Sequence, residues 1–440
     1  MFKRILVANR GAVARRIIRA CDSLGCESVA VYSDIDSGLP HVNEASSAER
    51  IPGYWPVDTY LNGEAIVAAA QRAEAEAIHP GYGFLAENPD FARAVEAAGL
   101  KFIGPTASWL ERMGEKTQAR QWMRENGFPM HAGSELILDQ AMLLEEAESI
   151  GYPVMLKPAA GGGGIGMTVA EDADALMAAY ATATNISERT FGQSTIFLEK
   201  FLRDSRHVEI QLIGDGESVM ALYERDCSVQ RRHQKLIEES PAPNIARADI
   251  DELCTRAVET LAGYDSLGTV ETMYSQGRFG FLEMNTRLQV EHGVTEEVTG
   301  LDLVGLQVRI ASGEKLSSLL QERPELDGYA IEARLYAEDP VSMLPCPGHL
   351  SVFRVPEMEG VRIEACYREG NTVTPYYDPL LAKVIGRGTS RETAIGRTLI
   401  ALRAMEVSGV KTNAPLLCRI LESTRFIEAN LDTAFVGDLL

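Results

Sequence analysis

The sequence predicts an α/β protein of two or three domains, with a doubly wound parallel sheet at its N-terminal end and a β-rich C-terminal part. Its 440 residues are too many for one compact core. Over residues 4–104, apolar runs of strand length alternate with amphipathic helical segments, the pattern of parallel α/β sheets. After Arg323-Pro324 the chain changes to short β-type segments. These three observations predict the fold class.

The N-terminal elements follow from hydrophobic periodicity. Arg4 to Ala8 predicts a buried strand, and Ala12 to Leu24 an amphipathic helix. The elements that follow are strand Glu27 to Tyr32, helix Tyr60 to Ala77, strand Ala77-Ile78, helix Asn88 to Ala98 and strand Lys101 to Gly104. The turn Asn9-Arg10-Gly11 lacks the G-x-G-x-x-G pattern, which disfavours a dinucleotide site there.

The later elements are predicted in the same way. The central ones are helix Ser108 to Asn126, strands Tyr152 to Leu156, Ile196 to Phe201 and Arg206 to Ile213, and helix Asp249 to Tyr264. The C-terminal ones are strands Tyr329 to Tyr336, Leu350 to Val355, Val361 to Cys366 and Leu381 to Ile385, and a final helix, Arg391 to Met405. In Arg206 to Ile213, alternation puts His207, Glu209 and Gln211 on one face.

Composition narrows the class of protein. The chain has 42 basic and 63 acidic side chains, a net charge of −21, which disfavours binding to nucleic acid or to anionic membranes. Seven scattered cysteines without a C-x-x-C pair are typical of reduced thiols in a cytosolic protein. The sequence shows neither a secretory signal nor an apolar run of transmembrane length. We therefore expect a soluble, cytoplasmic protein.

The most informative stretch is a predicted β-hairpin, Thr269 to Tyr274 and Phe279 to Asn285. With Gly277 at its centre, Ser275 faces Phe279, Met273 faces Phe281, and Glu271 faces Glu283. Two carboxylates opposed on a ladder lie about 5 Å apart and repel. Such a pairing is typical of a site that holds a cation. Asn285 and Arg287 continue on the same face.

Two further segments carry candidate chemistry. Lys157 begins a glycine-rich run, Gly161 to Gly164 with Gly166, whose backbone N–H groups can approach an anion closely. The run is not a P-loop, and it is interpreted either as a lid that closes over phosphates or as a plain linker. The second segment, Tyr223 to Lys235, is dense in charged and amide side chains.

Taken together, these motifs resemble biotin carboxylase, a member of the ATP-grasp ligases, over about residues 2–435. The resemblance rests on Ile5 to Gly11, His79 to Asn88, Lys157 to Gly166, Glu224 to Pro243, Glu283 to His292, Ala337 to Pro340 and Pro375 to Asp378, in the family's order. It implies a Rossmann-like N-terminal domain (1–113), an ATP-grasp domain (114–325, mobile lid about 131–203) and a C-terminal biotin carboxylase domain (326–440).

The resemblance also assigns the site residues. It implies that Lys116 and Lys157 hold the ATP phosphates under a loop that contains Gly161, Gly162, Gly163, Gly164 and Gly166. The adenine pocket would be lined by Glu199, Lys200 and Leu202. Further contacts to the nucleotide would come from His207, Gln230 and His233. Magnesium, or manganese in its place, would be bound by Glu271 and Glu283, with Asn285 beside them. Bicarbonate would lie among Lys235, Arg287, Gln289 and Val290. Glu291 would be its general base, and Arg334 would stabilise the biotin ureido oxygen.

The implied reaction is ATP-dependent carboxylation of biotin through carboxyphosphate, the first half-reaction of an enzyme such as acetyl-CoA carboxylase in fatty acid biosynthesis. The chain contains no Met-Lys dipeptide, the usual biotin attachment site. The resemblance therefore implies a separate biotin carboxyl carrier protein, a carboxyltransferase that meets the final acceptor, and a homodimer.

Three positions depart from the family pattern: Ala160 replaces a loop glycine, Ile165 stands where Arg is common, and Gly293 stands where Pro is common. Alternatives to the resemblance are another ATP-grasp ligase and a catalytically silent protein with the same fold. The cluster Arg287 to Glu291 with Arg334 disfavours the first. The presence of Lys116, Lys157, Glu271, Glu283 and Glu291 disfavours the second. A purely structural Arg287–Glu291 ion pair is also considered.

Overall fold

The N-terminal part is a five-stranded, all-parallel sheet in the order β3-β2-β1-β4-β5. We describe a computed structural model that covers residues 1–158, 166–191 and 195–440. The elements are β1 Arg4–Val7, α1 Gly11–Ser23, β2 Glu27–Tyr32, α2 Pro40–Glu44, β3 Ser47–Arg50, α3 Gly63–Arg72, β4 Ala77–His79, α4 Pro89–Ala97 and β5 Lys101–Phe102. The sheet confirms the predicted fold class. The strand β3 was not predicted, since Ser47 to Arg50 is largely polar.

Successive side chains of a strand point to opposite faces of the sheet, and in β1 the side chains on both faces are buried. This explains why helices cover both faces. Ile5 and Val7 pack with Val13 and Ile17 of α1, whereas Leu6 between them packs with Ile66 of α3 on the other face. A parallel strand that is apolar on both faces needs helices on both sides. The arrangement is therefore doubly wound, as predicted.

Two short helices follow, where the sequence predicted one helix from Ser108 to Asn126. They are α5 Ala107–Gly114 and α6 Lys116–Glu125. Glu115 interrupts the helical backbone, and its carboxylate accepts hydrogen bonds from the backbone N–H of Thr117 (3.0 Å) and Gln118 (2.9 Å). This is an N-cap, which satisfies N–H groups at the start of α6. The single-helix prediction is wrong, and Lys116 lies in the first turn of a new helix.

A small antiparallel sheet in the order β7-β6-β8 contains the glycine-rich segment. Its elements are α7 Gln140–Ile150, β6 Val154–Pro158, β7 Thr168–Ala170, α8 Ala173–Phe191 and β8 Ile196–Lys200. Leu143, Leu156 and Leu198 belong to a hydrophobic cluster of its own. Ala160, Gly161 to Gly164 and Ile165 lie outside the described residues, whereas Gly166 is described, with a φ of 78°.

The largest element is an eight-stranded antiparallel sheet, ordered β13-β12-β9-β10-β11-β14-β19-β17. Its first part contains the strands β9 Arg206–Gly214, β10 Val219–Arg231, β11 Gln234–Ser240, β12 Leu267–Ser275 and β13 Arg278–Asn285. The helices in the same region of the chain are α9 Arg247–Thr260, α10 His292–Thr299, α11 Leu303–Ala311 and α12 Leu316–Leu319. Its second part contains β14 Tyr329–Tyr336, β17 Val361–Ala365 and β19 Leu380–Gly388. The same region of the chain also contains helix α13 Arg391–Ala404 and two separate two-stranded sheets, β15 Gly348–His349 with β18 Thr372–Val373 and β16 Val352–Arg354 with β20 Glu406–Ser408. Pairing of β11 with β14 joins the two parts into one sheet.

The C-terminal end differs from the prediction. The helix predicted as the last one, α13, is followed by α14 Ala414–Glu422, α15 Thr424–Ile427 and α16 Phe435–Leu439. Leu417 and Phe435 lie in the same hydrophobic cluster as Leu381 of β19, so these helices complete the C-terminal core. All seven cysteines are unpaired. None of the described helices combines the length and hydrophobicity needed to cross a bilayer.

Candidate functional site

The hairpin that carries the two central carboxylates has a tighter turn than the sequence predicted. Gln276 and Gly277 form the turn, both with positive φ (51° and 76°), as a type I′ turn requires. The pairs nearest the turn are Ser275 with Arg278, Tyr274 with Phe279, and Met273 with Gly280. The predicted pairs Ser275–Phe279 and Met273–Phe281 are therefore wrong by one residue.

The predicted pairing of Glu271 with Glu283 is nevertheless present. The register shifts between Thr272–Phe281 and Glu271–Glu283, so that Leu282 is an extra residue on β13. Such a β-bulge shifts every later residue of its strand by one position relative to the partner strand. Without it, Leu282 would face Glu271, so the bulge brings the second carboxylate into the site.

Nearby cations compensate the charge of Glu271 more fully than that of Glu283. Burial and the charge of Glu271 raise the pKa of Glu283. Burial also opposes ionisation of Glu271, but Lys235 and His207 outweigh it and hold the pKa of Glu271 below its usual value. A divalent cation would offset the repulsion between the two groups, and Mg²⁺ prefers oxygen ligands of this kind. The donor set therefore fits the predicted metal.

Asn285, the third predicted metal residue, lies beside the pair. Its amide donates to Glu271 (2.9 Å), and its Oδ1 accepts from Arg287 (2.7 Å). A second possible metal-binding set among the described residues is His207, Glu209 and Glu271. Because Lys235 Nζ lies 2.7 Å from Glu209 and 2.9 Å from Glu271, a cation already compensates this second set.

Lys235 is the centre of the charged cluster. Besides its contacts with Glu209 and Glu271, its Nζ lies 2.6 Å from Glu291. Burial alone would lower the pKa of Lys235, but these carboxylates raise it well above its ordinary value. Lys235 therefore stays charged, and it links the predicted metal carboxylates to the predicted general base.

Glu291 lies between two cations and is 1% exposed. Arg334 donates to it from the side opposite Lys235, at 2.9 Å. Burial disfavours the charge of Glu291, but Lys235, Arg334 and Arg225 outweigh burial and hold its pKa well below the usual range. With both cations in contact, Glu291 is held in its ionised form and is only weakly basic.

Arg287 lies in the cluster but contacts a different carboxylate. Its Nε donates to Glu87 (2.7 Å), and its Nη1 donates to Gln289 (2.8 Å). Gln289 in turn donates to Glu271 (3.2 Å). Among the described residues Arg287 forms its ion pair with Glu87, so the alternative of a structural Arg287–Glu291 pair is wrong. Val290 contributes a backbone carbonyl on the same segment.

The residues assigned to phosphate and adenine lie around Glu199. Lys157 forms an ion pair with Glu199, and Arg120 contacts the same carboxylate at 2.6 Å. Burial would raise the pKa of Glu199, but Lys157, Arg120 and Lys116 lower it. Lys116 also lowers the pKa of Glu283, although burial and Glu271 dominate there. The charge of Lys116 therefore acts on both a predicted nucleotide residue and a predicted metal residue.

The other residues predicted to contact the nucleotide include Lys200, Leu202 and His207, and they do not share one partner. Lys200 donates to the carbonyls of Gly151 (2.8 Å) and Tyr152 (3.0 Å), and Leu202 is half-buried. His207 Nε2 lies 3.0 Å from Glu271, which raises its pKa against the effect of burial.

Gln230 and His233 lie at the end of the β10–β11 hairpin. The side chain of Gln230 makes a long hydrogen bond to the carbonyl of Cys227 (3.4 Å). His233 has a φ of 65° and belongs to the turn that connects the strands. Burial, and then Lys157, lower its pKa. The turn thus brings His233 near the base of the glycine-rich segment.

Sequence reasoning missed several members of the cluster. Arg225 is fully buried and contacts Glu209 at 2.6 Å. Glu238 lies 2.6 Å from Arg334 Nε. Glu209 could have been found, because it shares a predicted strand face with His207. Arg225 and Glu238 could not be found in this way, because they meet their partners only when strands that are distant in sequence pair in the sheet.

Comparisons with known proteins agree with this geometry. Three family models match consecutive parts of the chain: "Biotin carboxylase, N-terminal domain" (1–110), "Carbamoyl-phosphate synthase L chain, ATP binding domain" (115–319) and "Biotin carboxylase C-terminal domain" (332–438). An ATP-binding domain between two biotin carboxylase domains defines a class of ATP-dependent ligases.

The relatives narrow this class to one family. Biotin carboxylase 2 of Bacillus subtilis is 45% identical over 99% of both chains. The 2-oxoglutarate carboxylase small subunit of Hydrogenobacter thermophilus is 44% identical over 100% of this chain and 94% of the relative. The chain belongs to the biotin carboxylase family.

Solved structures support the same assignment. The biotin carboxylase domain of the H. thermophilus 2-oxoglutarate carboxylase, a dimer in complex with MgADP, ADP and bicarbonate, has a TM-score of 0.96 and 43% identity, over 100% of this chain and 98% of that one. Biotin carboxylase from Campylobacter jejuni also has a TM-score of 0.96, at 39% identity over 100% of this chain and 99% of that one.

Proposed function

We propose that this ATP-dependent ligase activates bicarbonate as carboxyphosphate and transfers the carboxyl group to biotin on a separate carrier protein. This is the first half-reaction of a biotin-dependent carboxylase. The observation that carries the proposal is the position of Glu291 between Lys235 and Arg334, next to the opposed carboxylates Glu271 and Glu283. This arrangement supports the proposal that Glu291 acts as a base beside a centre that activates phosphate.

The phosphate-binding step begins with an exchange of partners. Lys157 is paired with Glu199. The ATP phosphates carry more negative charge than one carboxylate, so they compete for Lys157, with Lys116 as a second cation. Glu271 and Glu283, with Asn285 beside them, would bind the Mg²⁺ that neutralises the transferred phosphoryl group. The closing of Gly161 to Gly166 over the phosphates stays a prediction.

Bicarbonate would bind near Lys235, Arg287, Gln289 and the backbone of Val290. Its oxygen attacks the γ-phosphorus, ADP leaves, and Glu291 accepts the bicarbonate proton. While Lys235 and Arg334 both contact Glu291, its pKa is held well below the usual range. As the two cations turn to their substrates, that stabilisation weakens and Glu291 becomes a stronger base.

Arg334 is the residue that we assign to biotin. Arg334 is 7% exposed and its guanidinium is always charged, so it can stabilise negative charge on the ureido oxygen while N1′ attacks the activated carboxyl group. The bond between the carboxyl carbon and the phosphate oxygen breaks, and the departing phosphate takes the N1′ proton. Carboxyphosphate hydrolyses in water, so the enclosure of this site favours transfer over hydrolysis.

The domain boundaries (1–113, 114–325 and 326–440) are part of the proposal and are supported by family models that match 1–110, 115–319 and 332–438. A homodimer is supported by the dimeric H. thermophilus domain. A carrier protein and a carboxyltransferase are the expected partners. One relative belongs to a 2-oxoglutarate carboxylase and another to a pyruvate carboxylase, so their names imply different acceptors. We place the protein in the cytoplasm, in agreement with seven unpaired cysteines.

The test is ADP release by the purified chain with bicarbonate, Mg²⁺ and free biotin, each omitted in turn. We expect cleavage of ATP that depends on all three. Turnover on another acid without biotin would indicate a different ATP-grasp ligase. Binding of nucleotide without turnover under any condition would indicate a silent member of the family.

A further inference from the structure

Lys383 is a buried cation on β19 that the proposed reaction does not use. It is 1% exposed, and its ammonium donates to the backbone carbonyl of Val290 at 2.6 Å. Its charge is compensated by Glu364 (3.0 Å) and Glu332 (3.4 Å), both buried. A buried lysine without such partners would be strongly destabilising. Two buried carboxylates therefore keep this donor charged at the carbonyl, and one of them, Glu364, also pairs with Arg19 (2.9 Å) and Arg362 (2.5 Å).

The carbonyl that Lys383 contacts belongs to the residue before Glu291. Residues 286–291 connect β13 to α10 without regular secondary structure. Three successive carbonyls in this connection contact side chains: Leu288 with Arg287 (3.2 Å), Gln289 with His292 (2.7 Å) and Val290 with Lys383 (2.6 Å). Arg287 lies in the connection and His292 in α10, whereas Lys383 lies on β19. Lys383 therefore ties the connection to the C-terminal part of the sheet.

The packing around Lys383 is close. Arg334 of β14 is the cross-strand neighbour of Lys383 on β19. A side chain at Gly293, in the first turn of α10, would lie 2.4 Å from Ile385 Cδ1 and 3.1 Å from Glu332 Oε2. The strands β14 and β19 thus lie directly against the start of α10. This close approach lets Lys383 reach the Val290 carbonyl.

Among the described residues, the cations in direct contact with the Glu291 carboxylate are ones that the proposed reaction uses. Lys235 and Arg334 contact it, but both are assigned to substrates and would turn away from it during the reaction. We propose that Lys383 is a positioning residue, which fixes the Val290 carbonyl and so holds Glu291 in place while Lys235 and Arg334 engage bicarbonate and biotin. The proposal rests on the proposed function, in which Glu291 is the base.

The test uses charge-balanced variants, because loss of Lys383 alone would leave unpaired carboxylates that could prevent folding. Lys383→Met combined with Glu332→Gln removes the donor and the counter-charge whose ion pair among the described residues is with Lys383, and it leaves Glu364 paired with Arg19 and Arg362. The matched control is Arg391→Met with Glu239→Gln, which removes another cation that contacts a carboxylate (2.6 Å) and a backbone carbonyl, that of Ile427 (3.0 Å). Lys383→Arg restores a charged donor.

We expect the Lys383 double variant to lower kcat for biotin-dependent ADP release about 10- to 100-fold, the scale of a misplaced catalytic group, with KM for ATP within about twofold. Amide hydrogen exchange in residues 286–291 should become about tenfold faster. The control variant should change neither measurement, and Lys383→Arg should recover part of the lost kcat.

Retention of normal kcat in the double variant would overturn the proposal, as would loss of kcat without faster exchange in residues 286–291. Absence of biotin-dependent turnover in the unmodified protein would instead contradict the proposed function. In that case hydrogen exchange decides alone: faster exchange in the variant supports Lys383 as the anchor of this segment, and unchanged exchange overturns it.

Discussion

Glu271 and Glu283 face each other across β12 and β13 only because Leu282 is bulged out of the ladder between them. The tight turn at Gln276 and Gly277 would otherwise align Glu271 with Leu282. A buried carboxylate and a half-buried one are thus held together by a local irregularity, at a cost in stability that a bound cation would offset.

This relationship predicts opposite effects of one substitution on stability and on metal binding. Glu283→Gln should raise the stability of the metal-free protein by about 0.2–1 kcal/mol, because it removes the repulsion from Glu271. It should also raise the Mg²⁺ concentration needed for half-maximal activity about tenfold or more, because a charged oxygen ligand is lost. Thermal unfolding without Mg²⁺ and Mg²⁺ titrations of ADP release measure the two effects.

The control for this prediction is Glu259→Gln, which changes an exposed carboxylate paired with Arg256 on α9. It should alter neither quantity. A Glu283→Gln protein that is less stable than the unmodified one and binds Mg²⁺ normally would show that the two carboxylates do not form a metal site.

Glu291→Gln tests the assignment of the base. Glutamine keeps the size of the side chain but cannot accept the bicarbonate proton, so we expect biotin-dependent turnover to fall about 100-fold or more. Affinity for ADP should stay within about twofold, because the nucleotide residues lie around Glu199. Steady-state kinetics and calorimetric titration with ADP measure these effects, and parallel loss of both would contradict the assignment.

Arg334→Met should change the pH dependence of any residual activity. Arg334 is one of the cations that lower the pKa of Glu291, so its removal should raise that pKa. A base with a higher pKa is protonated at higher pH, and the acidic limb of the kcat/KM profile should therefore move to higher pH. The two profiles are measured with free biotin from pH 4 to 9, and a variant whose activity does not fall at a higher pH than that of the unmodified protein would separate Arg334 from the base.

Glu238 should make the protein less stable as pH rises. Burial, together with Glu332 opposite it on β14, raises the pKa of Glu238 to about 8, despite the contact with Arg334. The folded state therefore holds a proton that the unfolded state loses near the ordinary carboxyl pKa. The resulting stability is complete at low pH and is lost as pH rises through about 8.

Glu238→Gln removes this proton linkage. Between pH 6 and pH 8.5, the unmodified protein should lose at least about 1.4 kcal/mol more stability than the variant, the equivalent of one pKa unit. Urea unfolding at the two pH values measures the difference. Equal pH dependence in both proteins would show that Glu238 is ionised in the folded state.

The fold was predictable where one short segment carries the signal. Ile5 to Val7 is apolar on both faces, which indicates a strand between helix layers, and the N-terminal sheet follows from such segments. Helix ends were less predictable. The single helix expected from Ser108 to Asn126 breaks because the Glu115 carboxylate caps α6, and no local apolar pattern marks that cap.

The site was predictable as a set of residues but not as a set of contacts. Alternation placed His207 and Glu209 on one face, and the two carboxylates of the hairpin were paired correctly. The bulge at Leu282 was not predictable, since the turn length and the extra residue offset each other. The partner of Arg287 was also missed, because Glu87 lies 200 residues away in sequence.

The pairing of β11 with β14 has a consequence for how this protein can be divided. Ile237 pairs with Ala333 and Glu239 with Ile331, so one edge of β11 is hydrogen-bonded to residues that lie beyond the ATP-binding region. A truncated protein that ends near residue 325 would leave this strand as a long, unprotected edge, prone to add strands from other molecules. Truncation there should produce aggregates, whereas a point substitution that silences Arg334 would keep the nucleotide-binding half intact and available for study.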